Sequence, residues 1–362
     1  MRCDLSHHCP TPPSHCLPEE AGGTVAVSNK FGRATSVIGA LGGCSTHCSG
    51  CATPGAHHPQ ATTMPELDLS SKGLAELPVD KLKGLTKLDA NSNALTKLTK
   101  GCFDGSPDLE SVEVYANKIK EIEAGVLTPL TKCTTLNAFN NQIKKIPPDL
   151  ASCVALEELN FAANKMMMLT DAHFATLTAL TVLNMQDNNL VRFGSLANCK
   201  ALEEIRLYGN NLEEIPAIGD GLPALRIIEI HKNRISAIGD DYFAGTPKLQ
   251  SLNIGKNSLA TLPPSLFSKC AELTMVQAED NKIESLPSVD FPAGLQTLFL
   301  QDNPWKALPK ELAKCSKLKR FNVTNAQSDS ATDELIAGLK KIVLSQDGGI
   351  FWGKTGEKEM AK

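Results

Sequence analysis

Aromatic side chains are scarce in this chain, at 5% of 362 residues with three Tyr and two Trp. Long apolar runs are missing as well. Nothing approaches the roughly 18 uninterrupted apolar residues that a membrane-crossing helix needs, so no membrane span is expected. Positive charge is not in surplus: 36 Lys and Arg stand against 40 Asp and Glu, a net −4, and no nucleic-acid partner is expected from that balance. The opening residues MRCDLSHHCPTPPSHC lack the apolar stretch of a secretory signal, which argues against export. What the chain does have is 42% apolar and 21% charged residues, enough for a folded core and too apolar for disorder throughout.

The twelve cysteines fall into two sets. Cys3, Cys9, Cys16, Cys44, Cys48 and Cys51 crowd the beginning, whereas Cys102, Cys133, Cys153, Cys199, Cys270 and Cys315 are spread over the rest.

From about Met64 a pattern L-x-x-L-x-L-x-x-N-x-L recurs, as in LTKLDANSNAL, LESVEVYANKI, LEELNFAANKM and LEEIRLYGNNL. Its asparagines are Asn93, Asn117, Asn141, Asn164, Asn188, Asn210, Asn233, Asn257, Asn281 and Asn303, spaced by 22 to 24 residues. Degenerate copies with Lys72 and Ala326 at the Asn position bracket the array. The pattern is that of the leucine-rich repeat, and the chain resembles that family over roughly residues 64 to 327. The expected fold is an α/β solenoid: a curved leucine-rich repeat horseshoe of about 12 repeats with a parallel concave β-sheet and a C-terminal capping helix. Three regions follow: a Cys/His-containing leader at 1–63, disordered or transit-like; the solenoid at 64–327; and a capping helix with tail at 328–362.

The repeat assigns each position a facing. Each L-x-L is read as a strand with its leucines inward and its other residues on the concave face. Each ladder Asn is read as structural, its amide bonding backbone groups of adjacent repeats. Phe103, Phe174, Phe243 and Phe267 share one phase, as do Cys153, Cys199, Cys270 and Cys315. Equal phase means equal environment, so a packed ring spine and buried thiols are expected. Those four thiols are too far apart for disulfides at about 4.8 Å per strand, and reduced cysteines point to a reducing compartment. One glycosylation sequon, Asn322-Val323-Thr324, falls inside a strand. Asn303-Pro304-Trp305 resembles the opening of the cysteine-rich cap of extracellular relatives, but Ala307 stands where the first cysteine belongs.

Function is therefore expected on the concave positions. They carry acidic residues at Asp68, Asp89 and Glu113, then an asparagine stripe at Asn137, Asn160 and Asn184, then Arg206, Tyr208, Glu229 and His231. Exposed rings flanked by charge are what interface hot spots are made of. The candidate partner-binding set is Asp89, Glu113, Tyr115, Phe139, Arg206, Tyr208, Glu229, His231 and Phe299, and the acidic end suits a protein partner with a basic surface.

Motifs that suggest chemistry lack the context it needs. Gly348-Gly-Ile-Phe-Trp-Gly353-Lys354-Thr355 has the spacing of a phosphate-binding loop but only seven residues follow it, so Thr332–Leu344 is expected to be an amphipathic cap helix with Ile350, Phe351 and Trp352 folded back or offered as a docking tail. Cys44-x3-Cys48-x2-Cys51 has the spacing of an iron-sulfur motif without a barrel around it. Zinc held by these thiolates with His47, His57 or His58, or with the earlier cysteines, competes with a metal-free leader. No catalytic constellation, resident metal or cofactor is assigned, and no enzyme activity is expected.

The L-x-x-L-P segments LAELP, IKKIPPDL, LEEIP, LATLPPSL and IESLP resemble the intracellular Ras-group leucine-rich repeat proteins. That resemblance implies a cytoplasmic scaffold or adaptor for signalling proteins such as small GTPases, kinases or phosphatases. Two alternatives are a regulatory subunit of a single enzyme such as a protein phosphatase, and a secreted recognition ectodomain.

Overall fold

A computed structural model of the chain describes residues 65–325 and 330–361. Contacts divide the chain into two units, Met1–Gln60 and Ala61–Lys362. The expectations for residues 1–63, including the zinc and iron-sulfur alternatives, lie outside the described residues.

In the second unit, three-residue strands run from Glu66–Asp68 to Arg320–Asn322, one per repeat, each centred on the first leucine of its L-x-L. They pair in parallel in chain order within one sheet. Leu67 faces Leu88, Leu88 faces Val112, and Val112 faces Leu136, so equivalent positions stack. Pairing runs on past each strand, with Leu69, Ala90 and Val114 donating to the next repeat's carbonyls at 2.7 to 2.8 Å. The chain is a leucine-rich repeat solenoid.

Each repeat leaves its strand through one turn. The residue before the ladder Asn takes the left-handed conformation, φ 53° at Ala163 and 52° at Asp187, and Gly209 supplies it without strain at 67°. That turn aims the Asn side chain into the stack. Asn188 shows the pattern: Nδ2 donates to the Phe161, Met185 and Gln186 carbonyls at 3.0, 3.1 and 3.2 Å, while Oδ1 accepts from Met166 N–H at 3.0 Å. The same set of bonds joins Asn117, Asn141, Asn164 and Asn210 to their neighbours.

Convex segments are short, such as the four-residue helical turn Asp171–Phe174 and the six-residue helix Pro264–Lys269. The L-P-P sequences explain two of them, since Pro148 opens Pro148–Ser152 and Pro264 opens Pro264–Lys269, where a missing N–H costs nothing. Phe103, Phe174, Phe243 and Phe267 are buried behind the sheet. All six cysteines of this unit are buried and free.

Helix Ser330–Leu344 closes the array by burying Thr332, Ile336, Leu339 and Val343. The tail does not dock elsewhere. Ile350–Trp352 pairs in parallel with Arg320–Asn322, and Lys358–Met360 returns antiparallel to it. Gly349 makes the crossing, for a Cβ there would run into the Val343 carbonyl. The phosphate-loop spacing is thus a strand and a turn, with Lys354 paired to Asp333 at 2.7 Å and no helix behind it. Among the described residues no helix is long and apolar enough to cross a membrane.

Candidate protein-interaction face

The concave positions do not all reach solvent. Asp68, Asp89, Asn137, Asn160 and Asn184 each accept, through Oδ1, the backbone N–H two residues on, at 2.8 to 3.3 Å. Asn137, Asn160 and Asn184 are buried, and so is Ala162. The asparagine stripe is therefore turn chemistry that ends each strand, a role carboxylate and amide share and alternation does not reveal. Asn322 of the sequon is held the same way by Thr324 N–H at 3.2 Å.

Three groups remain along the face. At the first, Glu113 is half-buried with its Oε2 unpartnered among the described residues, beside Tyr115 and an exposed Phe139. Burial pushes the Glu113 carboxyl up to about 7, with Asp89 and Glu158 adding to the rise and a hydrogen bond to Asn137 opposing it. Burial likewise raises Tyr115 above its usual range.

The second group holds its charges together. Arg206 is 8% exposed, with its guanidinium 2.6 Å from Glu204 and 3.3 Å from Glu229. Burial raises Glu229 while Arg206 opposes the rise. Next to this knot Tyr208 and His231 stack at 4.4 Å with planes 14° apart. Burial, then Lys232 and Lys256, hold His231 down to about 4, so it is neutral at physiological pH, and among the described residues its Nδ1 has no partner. Arg206 is spent on neighbours, whereas the rings present a flat surface.

The third group brings Phe299 against Trp352 at 5.9 Å and 90°, with the Lys358 ammonium 6.0 Å from the Trp352 ring. Trp352 and Lys358 were not legible as concave residues, because only the added strands of the tail place them there. Between the second and third groups Gly255 leaves room that the Glu279 carboxylate occupies, its Oε2 unpartnered like Oε1 of Gln301. Among the described residues no group of His, Cys, Asp or Glu could hold a metal ion.

The stacked sheet of this leucine-rich repeat solenoid thus presents rings and unsatisfied acceptors along one face. The family described as leucine rich repeat matches at residues 83–143 and 223–283. Asporin of Bos taurus is 30% identical over 176 residues, 48% of this chain and 47% of asporin. Keratocan of Gallus gallus is 27% identical over 48% of this chain and 50% of its own length, and decorin of Equus caballus 29% over 47% and 48%. The chain thus spans about half the length of the curated relatives it matches. Among solved structures, the TLR13–ssRNA13 complex matches at TM-score 0.58 and 26% identity, covering 67% of this chain and 36% of that one. The Toll–Spatzle complex matches at 0.61 and 20% over 74% and 37%, and an internalin of Listeria monocytogenes at 0.56 and 19% over 77% and 85%. The last two show the fold alone.

These likenesses correct the expected compartment. Asporin, keratocan and decorin are secreted proteins of the extracellular matrix, so the cytoplasmic, intracellular-signalling expectation does not stand. The thiolate is the species that oxidises, and burial pushes the thiols of Cys102 and Cys153 up to about 12 and those of Cys199, Cys270 and Cys315 up to about 11. A buried, protonated thiol is disfavoured as a nucleophile in any compartment, so a free cysteine at such a site is no sign of a reducing one. The relatives are binding proteins rather than enzymes. Net charge does not settle nucleic acid as a partner either, since one matched fold is that of a complex with ssRNA.

Proposed function

We propose that this chain is an extracellular recognition module that binds a protein partner on its concave sheet, with a basic segment of that partner seated at Glu113. The observation that carries this reading is the unpartnered Oε2 of the half-buried Glu113 beside Tyr115 and the exposed ring of Phe139. An unsatisfied buried carboxylate is costly, and a Lys or Arg from a partner satisfies it while the rings supply contact area at low entropic cost. The stacked Tyr208 and His231 extend the same face, about 20 Å further along at the strand spacing.

Affinity capture from an extracellular matrix extract tests this. Partners held by the wild-type chain and identified by mass spectrometry are expected to be lost with Tyr115→Ala/Phe139→Ala and weakened about tenfold by Glu113→Gln. Undiminished capture by both variants, with their circular dichroism unchanged, overturns the concave reading.

A further inference from the structure

The two most exposed large apolar side chains among the described repeats, Met167 and Met168, do not lie on the concave face. Met167, Met168 and Val191 are 63%, 54% and 43% exposed. They sit three and four residues past the turn asparagines Asn164 and Asn188, on the strip where the chain leaves the sheet. Val191 N–H donates to the Met167 carbonyl at 3.0 Å, and Met168 pairs with Arg192, so the backbone sets these exposed residues side by side on adjacent repeats.

The charges beside the patch are opposite on its two sides. One repeat earlier the same positions are Lys144 and Lys145; one repeat later they are Glu213 and Glu214, and all four are exposed. The repeats are in register here, because Lys165, Asn189 and Asn211 each donate a backbone N–H to the repeat before at 2.9 Å. The strip therefore reads, repeat by repeat, two cations, two methionines, Val191 with Arg192, two anions. None of Lys144, Lys145, Arg192, Glu213 or Glu214 makes an ion pair among the described residues.

That order is self-complementary. A two-fold axis passing between the Asn164 and Asn188 repeats lays the strip antiparallel on a second copy. Lys144 and Lys145 then meet Glu213 and Glu214 of the other copy, twice by symmetry, and Met167 and Met168 meet Val191 and the aliphatic stem of Arg192. A parallel overlay would instead set like charge on like. Methionine suits such a contact, being flexible enough to fill the space between two curved surfaces, and an exposed apolar cluster rimmed by charge is the kind of surface proteins cover. We propose that this strip is a homodimer interface whose occupant is a second copy of this chain, leaving the concave sheets of both copies open.

The test uses charge exchange in the full chain. Sedimentation equilibrium at about 1–100 µM is expected to show a monomer–dimer equilibrium that weakens as salt is raised. Lys144→Glu/Lys145→Glu and, separately, Glu213→Lys/Glu214→Lys are each expected to weaken association about tenfold or more, because each variant faces like charge in its own homodimer. Mixed together, the two variants match opposite charge at both ends of the contact and are expected to dimerise about as well as the wild type. Restoration on mixing also shows that both variants are folded. A wild-type chain that stays monomeric, variants that still dimerise, or a mixture that fails to do so overturns the proposal.

Discussion

Replacing Asn188 by Ala isolates the hydrogen bond that joins one repeat to the next. The side chain makes four bonds, but losing it does not orphan four groups. The Phe161 carbonyl keeps the Asn164 amide at 3.0 Å, the Met185 carbonyl keeps the Asn210 amide at 3.0 Å, and the Gln186 carbonyl keeps Ala163 N–H at 2.9 Å. Only the buried Met166 N–H loses its one partner, the 3.0 Å bond to Oδ1. One orphaned buried donor costs about 1–3 kcal/mol, so about 2 kcal/mol is expected from the urea midpoint at unchanged slope. Asn303→Ala orphans two groups among the described residues, Ile283 N–H and the Leu300 carbonyl, and should cost about 1 kcal/mol more. The exposed neighbour Asn189→Ala is the control and should stay within about 0.5 kcal/mol. If Asn188→Ala and Asn189→Ala unfold at the same urea concentration, the ladder is not held by these amides and the reasoning fails.

Three further outcomes are expected. Ala163→Gly, at a residue held at φ 53°, should raise stability by about 0.5–1 kcal/mol in the same urea assay, since the left-handed conformation costs an L-residue and not glycine. Glu113 has a folded-state pKa of about 7 against 4.5 for the free side chain, so the folded state holds its proton more tightly and stability falls as pH rises from about 4.5 to 7. Relative to Glu113→Gln the wild type should lose about 1–2 kcal/mol across that window, a value discounted for partial exposure, as read from urea midpoints at stepped pH. Gly349→Ala forces a Cβ into the Val343 carbonyl and should release the tail strand, seen as rapid amide exchange at Phe351 and Trp352 while the central repeats stay protected.

Much of this molecule was legible because a solenoid repeats its environment. The ladder asparagines, the Phe103 and Phe174 spine and the buried Cys153 and Cys199 each sit at one phase of the period, and period alone assigns phase to burial. Alternation failed where two roles compete for one position. Asn160 and Asn184 occupy sites that an L-x-L strand presents to solvent, yet they bend back to their own backbone, because a short amide next to a turn finds an N–H two residues away. Arg206 read as an exposed charge and is buried between Glu204 and Glu229, one of which lies on the adjacent strand. The compartment was misread from cysteines that the repeat buries and holds apart, an arrangement set by the fold and not by the surroundings.

By itself the sequence determined the repeat, the number of strands in the array and which residues form the core, since these depend on spacing along one chain. Only the tertiary structure decided which polar residues remain free to bind. Whether Glu113, His231 or Glu279 keeps an unsatisfied atom depends on what neighbouring repeats bring to it. So too with the tail, whose strand at Ile350–Trp352 puts a tryptophan on the concave face only because the sheet edge at Arg320–Asn322 still had backbone groups to pair.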